Sequence, residues 1–215
     1  LFTQSSPVDL NPDVQAGWEK TAKDSLNDMQ QAALNLWISL NQARIFRQSS
    51  LLNGMLSPHL DNTTQLATQA FKLGYTKAYL LMVQFYAQEL DDLQNAKGWL
   101  EKIPLTHATY ETARLTLANV LLARATNSAA ITAPLSNKKQ ANAQRREQLW
   151  EVIQTTLPLN SEAAKETQKN ASLLYLYGKK AKDIPSEPVN QRIVNLNTND
   201  ANAFRAALDQ WRQEL

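Results

Sequence analysis

The sequence contains no cysteine, only two histidines and only five glycines, and each shortage narrows what the chain can be. Without cysteine there is no disulfide, no thiolate nucleophile and no cysteine-ligated metal site. His59 and His107 lack the spacing of a metal-binding pair, so we expect each to have a structural or solvent-facing role. The scarcity of glycine and of β-branched runs favours helices over strands.

Long apolar runs are also missing from the chain. No stretch approaches the roughly 20 apolar residues of a membrane-spanning helix, so we predict no membrane span. The chain begins at Leu1 rather than at methionine, which predicts a processed product, for example one that has lost a signal peptide. Together with the absence of cysteine, this favours the periplasm or cell envelope of a bacterium as the location, with the cytoplasm as the alternative.

Charge is nearly balanced over the whole chain but uneven along it. The 22 basic and 20 acidic side chains give a net charge of +2, which is too small to predict a nucleic-acid partner. Residues 1–100 carry seven basic and nine acidic side chains, a net charge of −2. Residues 101–215 carry 15 basic and 11 acidic side chains, a net charge of +4.

Part of the positive excess falls in one cluster without an acidic residue: Lys138, Lys139, Arg145 and Arg146. It follows residues 126–137, whose proline, asparagine and small side chains predict a long loop. Because insertions in repeat proteins often serve binding, we expect this cluster to contact an acidic partner. The alternative is an idle, solvated loop. Aromatic residues are not interleaved with the cluster, which argues against nucleic acid as the partner.

Apolar residues at spacings of three and four predict helices along most of the chain. Helix starts are predicted where a capping side chain precedes such a pattern, at Asn11-Pro12, Asp24 or Ser25, Asp61-Asn62, Asp91-Asp92, Asn160-Ser161 and Asn199-Asp200. The first of these is expected to open a short helix that contains Trp18. Residues 49–61 and 182–198 contain prolines and are predicted to be loops.

A four-residue pattern recurs at 73–76, 103–106 and 157–160: aliphatic, Gly or Pro, bulky apolar, then Thr or Asn. Gly or Pro ends one helix, and Thr76, Thr106 or Asn160 is expected to cap the next. These junctions divide residues 12–215, a predicted single domain, into helical hairpins at about 26–73, 76–103, 106–157 and 160–215. Residues 1–11 are polar and are predicted to form an extended arm.

The hairpins share residue types at equivalent positions. In the first helices, Met82-Val83 and Tyr86 correspond to Leu117-Ala118 and Leu121, and to Ala171-Ser172 and Tyr175. In the second helices, Ala67, Phe71 and Gly74 correspond to Ala96, Leu100 and Ile103. Over about residues 26–215 this pattern resembles the tetratricopeptide repeat family, and residues 76–103 resemble its Sel1-like branch. The consensus Trp, Leu and Gly of the first helix are missing, and two hairpins carry insertions.

The resemblance implies an all-α fold, an antiparallel helical-hairpin solenoid with about nine helices in this chain; a plain irregular helical bundle is the alternative. In this family a small residue lets two helices approach, a large one fills the gap, and proline closes the hairpin. Here Ala96, Tyr86 with Leu100, and Pro104 stand at such places. The resemblance also implies a concave face that binds a protein or peptide.

Catalytic motifs are not found in the sequence. It contains no Gly-rich phosphate loop, nucleophile elbow or kinase signature, and Ser161-Glu162 reverses the Glu-Ser dipeptide of lytic transglycosylases. Glu147 and Glu151 lie one helical turn apart and are expected on a solvated face. We expect the tryptophans at 37, 99, 150 and 211 to belong to the core rather than to a ligand platform.

We therefore predict a non-enzymatic scaffold without cofactor or metal that binds a protein or peptide and no nucleic acid. Such a groove should expose Asn, Gln and Tyr along the first helices. One alternative is a helical domain of a cell-envelope system that processes carbohydrate or handles polysaccharide, which should expose tryptophan near paired carboxylates. The other is a regulatory α-bundle that binds an acidic ligand through residues 138–146.

Overall fold

A computed structural model describes residues 26–49, 52–127, 138–178 and 200–214. Within these ranges the chain forms α-helices and no strand, which confirms the all-α prediction. The helices are α1 (Asp28–Gln48), α2 (Leu56–Lys72), α3 (Ala78–Gln84), α4 (Leu93–Glu101), α5 (Tyr110–Asn127), α6 (Lys138–Thr156), α7 (Glu162–Tyr177) and α8 (Ala201–Gln213). About nine were predicted, and the short helix around Trp18 lies outside the described residues, as do the arm at 1–11 and the loop at 182–198.

Side-chain caps start four of these helices. Asn27 and Gln30 form a capping box at α1, in which the Gln30 backbone amide donates to Asn27 Oδ1 at 2.9 Å. The predicted start was misplaced, because the cap is Asn27 rather than Asp24 or Ser25. Asp92, Ser161 and Asp200 cap α4, α7 and α8, which confirms those three predictions.

Thr76 and Thr106 do not cap the next helices, so the prediction was wrong at these two junctions, and at the third junction the cap is Ser161 rather than Asn160. The helices α3 and α5 begin further along the chain, and no side chain caps α3. Backbone turns bond the first amides instead, from Ala78 to the Tyr75 carbonyl at 3.1 Å and from Tyr110 to the His107 carbonyl at 2.9 Å. Because a turn already supplies an acceptor, a capping hydroxyl is not needed there.

Residues 49–61 are not a loop throughout, contrary to the prediction. A 3-10 turn at Asn53–Met55 leads directly into α2, which begins at Leu56. Pro58 lies in the first turn of α2, where an amide has no intrahelical acceptor, so proline is accommodated without breaking the helix. Asp61 consequently lies inside the helix rather than at its start.

A π-helical turn, Phe85–Glu89, continues α3. The Leu90 amide donates to the Phe85 carbonyl at 3.0 Å, and Asp91 adopts a left-handed conformation with φ of 58°. Glu89 on this turn accepts two hydrogen bonds from Arg44 of α1, both at 2.6 Å. The widened turn therefore ends α3 with a bidentate link to the first helix.

Each predicted hairpin range contains two of the helices, and the two helices of each range contact each other. Extensive contacts join helices that are neighbours in sequence, and they also join α3 to α5 and α5 to α7. The helices α4, α6 and α8, the second of their ranges, do not make comparable contacts with one another. We call the surface that α4, α6 and α8 share the second-helix face.

One large hydrophobic core runs through the packed helices, and a small separate cluster of Leu34 and Ile38 lies on α1. Tyr86, Leu100, Leu117 and Leu121 are all buried in the large core, which confirms the shared core predicted between the central hairpins. Fully buried alanines mark close helix approaches at positions 78, 96, 113, 118, 164 and 171. Among the described helices, none is long and apolar enough to cross a membrane.

Candidate functional site

His59 lies within hydrogen-bonding distance of a serine hydroxyl, the arrangement of a nucleophile and its base. Its Nε2 is 3.2 Å from Ser39 Oγ, but it is only 2.8 Å from the Ser39 backbone carbonyl. A carbonyl oxygen accepts, so Nε2 carries the proton and cannot take one from the hydroxyl. Ser39 is 3% exposed, and its Oγ is 2.7 Å from Thr63 Oγ1. The group pins α1 to α2 and does not form a catalytic pair.

His107 stabilises the turn before α5. Its Nδ1 accepts a hydrogen bond from the Thr109 amide at 3.2 Å, and the Thr109 hydroxyl is 2.8 Å from the same nitrogen. The ring also lies 5.4 Å from the Phe71 ring. Both histidines therefore have local structural partners. No group of three or more His, Asp or Glu side chains is placed to hold a metal ion in the ranges that the structure describes.

Glu147 and Glu151 were expected on a solvated face; Glu147 is exposed, as expected, and Glu151 is half-buried. Glu151 of α6 forms an ion pair with Lys97 of α4, and Glu147 of α6 forms one with Arg205 of α8. These pairs bridge helices that lack extensive packing with one another. They connect the three helices of the second-helix face through side chains that are partly exposed.

The predicted partner-binding cluster is divided by the structure. Lys138 and Lys139 begin α6, and their side chains lie outside what the structure describes. Arg145 points inward: its Nε donates to the Ala125 carbonyl at 2.9 Å and its Nη1 to the Gly178 carbonyl at 3.3 Å. Arg145 therefore links the carboxyl ends of α5 and α7, and its guanidinium is already committed within the molecule.

Arg146, the remaining member of the cluster, lines a cleft of about 610 Å³ between α6, α7 and α8. We call this the α6–α8 cleft. Its other lining residues are charged or polar apart from one alanine: Gln140, Ala143, Gln144, Glu147, Tyr175, Arg205, Asp209 and Arg212. Arg205 and Arg212 were missed in the sequence. Their spacing of seven residues along one helix, with Asp209 between them, is the signal that places all three on the same face.

Asp209 is the central acceptor of the α6–α8 cleft. The Tyr175 hydroxyl donates to its Oδ1 at 2.7 Å, Arg205 Nε lies 3.9 Å from its Oδ2, and Arg212 Nη2 lies 3.8 Å from its Oδ1. Burial raises the pKa of Tyr175, and the hydrogen bond to Asp209 raises it further. Burial acts to lower the pKa of Arg205, but the hydrogen bond and charge of Glu147 outweigh it and raise that pKa.

The cleft is electrostatically positive by one charge. Three guanidinium groups, of Arg146, Arg205 and Arg212, face two carboxylates, of Glu147 and Asp209. Arg146 makes no hydrogen bond or ion pair with any other described residue. The arrangement provides arginine donors beyond those that its own carboxylates use, so it can bind an anionic group.

A second cleft, of about 500 Å³, lies nearer the carboxyl end of α6, between α4, α5 and α6. Arg114 crosses its floor and donates to the Thr155 carbonyl at 2.7 Å and to the Tyr110 hydroxyl at 2.6 Å. Leu105 on its rim is 75% exposed. The helix α6 thus lines two clefts, one with an apolar rim and one rich in arginine.

Exposed tryptophan was expected for a carbohydrate site, and exposed Asn, Gln and Tyr on the first helices for a peptide groove. Trp99, Trp150 and Trp211 are buried, so these three do not form an open platform for a sugar ring. Exposed amide side chains do line a cleft, but Gln140 and Gln144 lie on the second helix α6 rather than on first helices. Four tyrosines of the described first helices, at 79, 86, 110 and 175, are buried, and Tyr177 at the end of α7 is half-buried.

Comparison with known proteins adds no family to this description. No protein family model matches the chain, and neither a curated protein nor a solved structure matches it significantly.

Proposed function

We propose that the chain is a non-enzymatic scaffold of helical hairpins packed in series, which binds a protein or peptide partner. The order of helix contacts supports this proposal, because extensive contacts join helices that are neighbours or next but one in sequence. Serial packing of this kind is how tetratricopeptide-like arrays bury their core while presenting extended faces to partners. The proposal includes the resemblance to that family.

The observation that carries the proposal is the pair of clefts that follow one another along α6 on the second-helix face. Small-molecule sites are typically enclosed and lined mostly by apolar and aromatic side chains. The α6–α8 cleft is instead lined by charged and amide groups, and the other by a mixture of apolar and charged groups. Two shallow clefts side by side suit a polypeptide segment that lies across several helices.

The histidine geometry supports a function without catalysis. A general base must be able to accept a proton from the group it activates. His59 faces a backbone carbonyl through the nitrogen nearest Ser39, and His107 uses Nδ1 to accept from a backbone amide. Neither arrangement resembles an acid–base site, and both are explained by the packing of α1 on α2 and by the turn before α5.

The proposal is tested by capturing partners from native extract, identifying them by mass spectrometry and titrating the purified candidate by calorimetry. We expect saturable, stoichiometric binding. Ala143→Trp, which fills the α6–α8 cleft from an exposed position, should weaken that binding at least tenfold. Ala163→Trp, at an exposed position on α7 that does not line the cleft, is the matched control and should bind as the wild type does.

Two results would contradict the proposal. If no captured protein binds with defined stoichiometry, the scaffold function is wrong. If a partner binds but both tryptophan variants retain full affinity, the second-helix face is not the binding surface.

A further inference from the structure

We propose that the α6–α8 cleft binds an acidic segment of a partner polypeptide, whose carboxylates are contacted by Arg146 and Arg212. This inference rests on the proposed scaffold function and specifies the chemistry of the partner at that site. Of the four cations that the sequence analysis grouped, only Arg146 lines this cleft.

Arg146 and Arg212 are the arginines of the cleft with donors to spare. Arg205 is hydrogen-bonded to Glu147 and bridges α6 to α8, so its contact is structural. Arg212 lies 3.8 Å from Asp209, beyond a direct hydrogen bond, and its side chain is 34% exposed. Arg146 has no polar partner among the described residues. Each guanidinium offers five N–H donors in a planar fork that matches a carboxylate.

Tyr175 competes with Arg205 and Arg212 for the carboxylate of Asp209. The Tyr175 hydroxyl occupies Oδ1 of Asp209 at 2.7 Å, the same oxygen that lies nearest to Arg212. A carboxylate that is shared among a tyrosine and two arginines leaves each arginine incompletely paired. An incoming carboxylate can then form the charge-assisted, bidentate contacts that Asp209 does not make.

The acidic side chains of the cleft favour a carboxylate ligand over a phosphate. Glu147 and Asp209 line the same space, and the three arginines exceed them by only one positive charge. A carboxylate, with a single negative charge, matches that excess. A phosphate with about two negative charges meets stronger repulsion from Glu147 and Asp209 than a carboxylate does.

The amide groups on α6 favour a peptide over a small organic acid. Gln140 and Gln144 are exposed and lie one helical turn apart on the rim of the cleft. Each side-chain amide can donate to a backbone carbonyl and accept from a backbone amide. The volume of about 610 Å³ is also far larger than a lone carboxylate needs.

The test measures the binding of a fluorescein-labelled, blocked hexaglutamate peptide by fluorescence anisotropy at low ionic strength. A hexaglutamine peptide is the uncharged probe, and inorganic phosphate at matched ionic strength is the competitor. The variant Arg146→Gln/Arg212→Gln is compared with Arg47→Gln/Lys72→Gln, which removes two exposed charges from α1 and α2. Arg146→Gln alone is a second variant, because it leaves the contact between Arg212 and Asp209 in place.

We expect the wild type and the control to bind hexaglutamate alike and hexaglutamine far more weakly. The double variant should lose at least tenfold in affinity, and Arg146→Gln alone at least threefold, with thermal midpoints close to the wild type. An equal loss in the control would mean that the overall charge, not the cleft, attracts the peptide, and would overturn the proposal. Full affinity in the double variant, or displacement of the peptide by phosphate, would overturn it as well.

The same variants separate this inference from the scaffold function. If a captured protein partner binds the double variant as tightly as the wild type, the acidic-segment inference is wrong and the scaffold function stands. If hexaglutamate binds through the cleft but no protein partner is captured, the chemistry of the cleft stands and the scaffold function is wrong.

Discussion

Arginine side chains donate hydrogen bonds to backbone carbonyls at or near helix ends at several places in this molecule. Arg114 donates to the Thr155 carbonyl at the end of α6, Arg124 to the Asp91 carbonyl just after the π-helical turn, and Arg145 to carbonyls at the ends of α5 and α7. Carbonyls of the last helical turn lack intrahelical partners and carry partial negative charge. A guanidinium that reaches them from another helix satisfies these acceptors and joins the two helices.

Arg145 and Arg146 are therefore expected to differ in their effect on stability. Arg145→Gln should lower the free energy of unfolding by about 1–3 kcal/mol, because two carbonyls lose a charged donor. Arg146→Gln is the matched control, and it should change that free energy by less than about 0.5 kcal/mol. Urea denaturation of both variants checks this difference. Equal stabilities for the two would show that the Arg145 contacts contribute nothing measurable.

The sequence could not separate these two neighbours. Both are arginines of one cationic cluster, and adjacent positions on a helix point about 100° apart. Which of them faces the interior depends on the ends of α5 and α7, which lie 20 and 33 residues away in sequence. The sequence analysis expected all four cations to be available to a partner. For Arg145 this was wrong, because its guanidinium donates to carbonyls within the molecule. Binding of an acidic partner by the cluster stays a prediction, now focused on Arg146.

At the scale of the element, helix starts with a local capping signal were predictable. Asp92, Ser161 and Asp200 each bond an amide two or three residues ahead, and such contacts depend on neighbouring residues alone. The start of α1 was predicted at Asp24 or Ser25, although Asn27 and Gln30 form its capping box, and the starts of α2, α3 and α5 were misplaced too. The helix α2 begins with a proline in its first turn, and α3 and α5 begin with a hydrogen-bonded backbone turn, instead of the predicted capping side chain. Neither feature has a unique sequence pattern.

The Asp92 cap makes a testable contribution to α4. Asp92→Ala should lower the free energy of unfolding by about 1 kcal/mol at neutral pH. The backbone hydrogen bond from Asn95, and then its side-chain hydrogen bond, lower the pKa of Asp92. A carboxyl with a lowered folded-state pKa stabilises the protein above its unfolded pKa and loses that contribution as pH falls through the folded pKa.

The difference between the wild type and Asp92→Ala should therefore shrink as the solution is acidified. Denaturation of the two proteins over a pH series measures it. Asp92→Asn is the control, because asparagine caps helices without titrating in this range. A difference that stays constant from neutral to strongly acidic pH would contradict a contribution from the ionised carboxylate.

Substituting alanine at two glycines should change the free energy of unfolding in opposite directions. Gly178 ends α7 with φ of +66°, whereas Gly98 lies inside α4, and a Cβ at either position meets no atom within 4 Å. Gly178→Ala should therefore destabilise the protein by about 1–2 kcal/mol through backbone strain alone. Gly98→Ala should stabilise it by about 0.5–1 kcal/mol through helix propensity. Thermal denaturation that shifts both variants in the same direction would contradict these helix boundaries.

At the scale of the whole molecule, stability should depend on the core between the central helices. Leu117 of α5 is 1% exposed, and Leu117→Ala should lower the free energy of unfolding by about 2–5 kcal/mol. Leu105→Ala removes the same atoms from a side chain that is 75% exposed, and it should cost less than about 0.5 kcal/mol. Equal effects of the two substitutions in chemical denaturation would mean that Leu117 does not lie in the core.

The all-α class and the central core followed from apolar spacing, because that signal is local and repeats along every helix. The candidate site did not follow as readily. Arg205 and Glu147 are separated by 58 residues, and only the packing of α6, α7 and α8 brings them together. Spacing placed Arg146 in a functional cluster but gave no reason to connect it with α8. The solenoid arrangement, the family resemblance and the cell-envelope location stay predictions.

The central claim is that a partner polypeptide binds across the second-helix face. Hydrogen–deuterium exchange of the protein, alone and saturated with its captured partner, tests it most directly. We predict that the partner slows exchange in peptides from α6 and α8, with α4 protected where the segment extends into the second cleft. Protection confined to α1 and α2, or no change anywhere in a complex that calorimetry shows to be saturated, would contradict the claim.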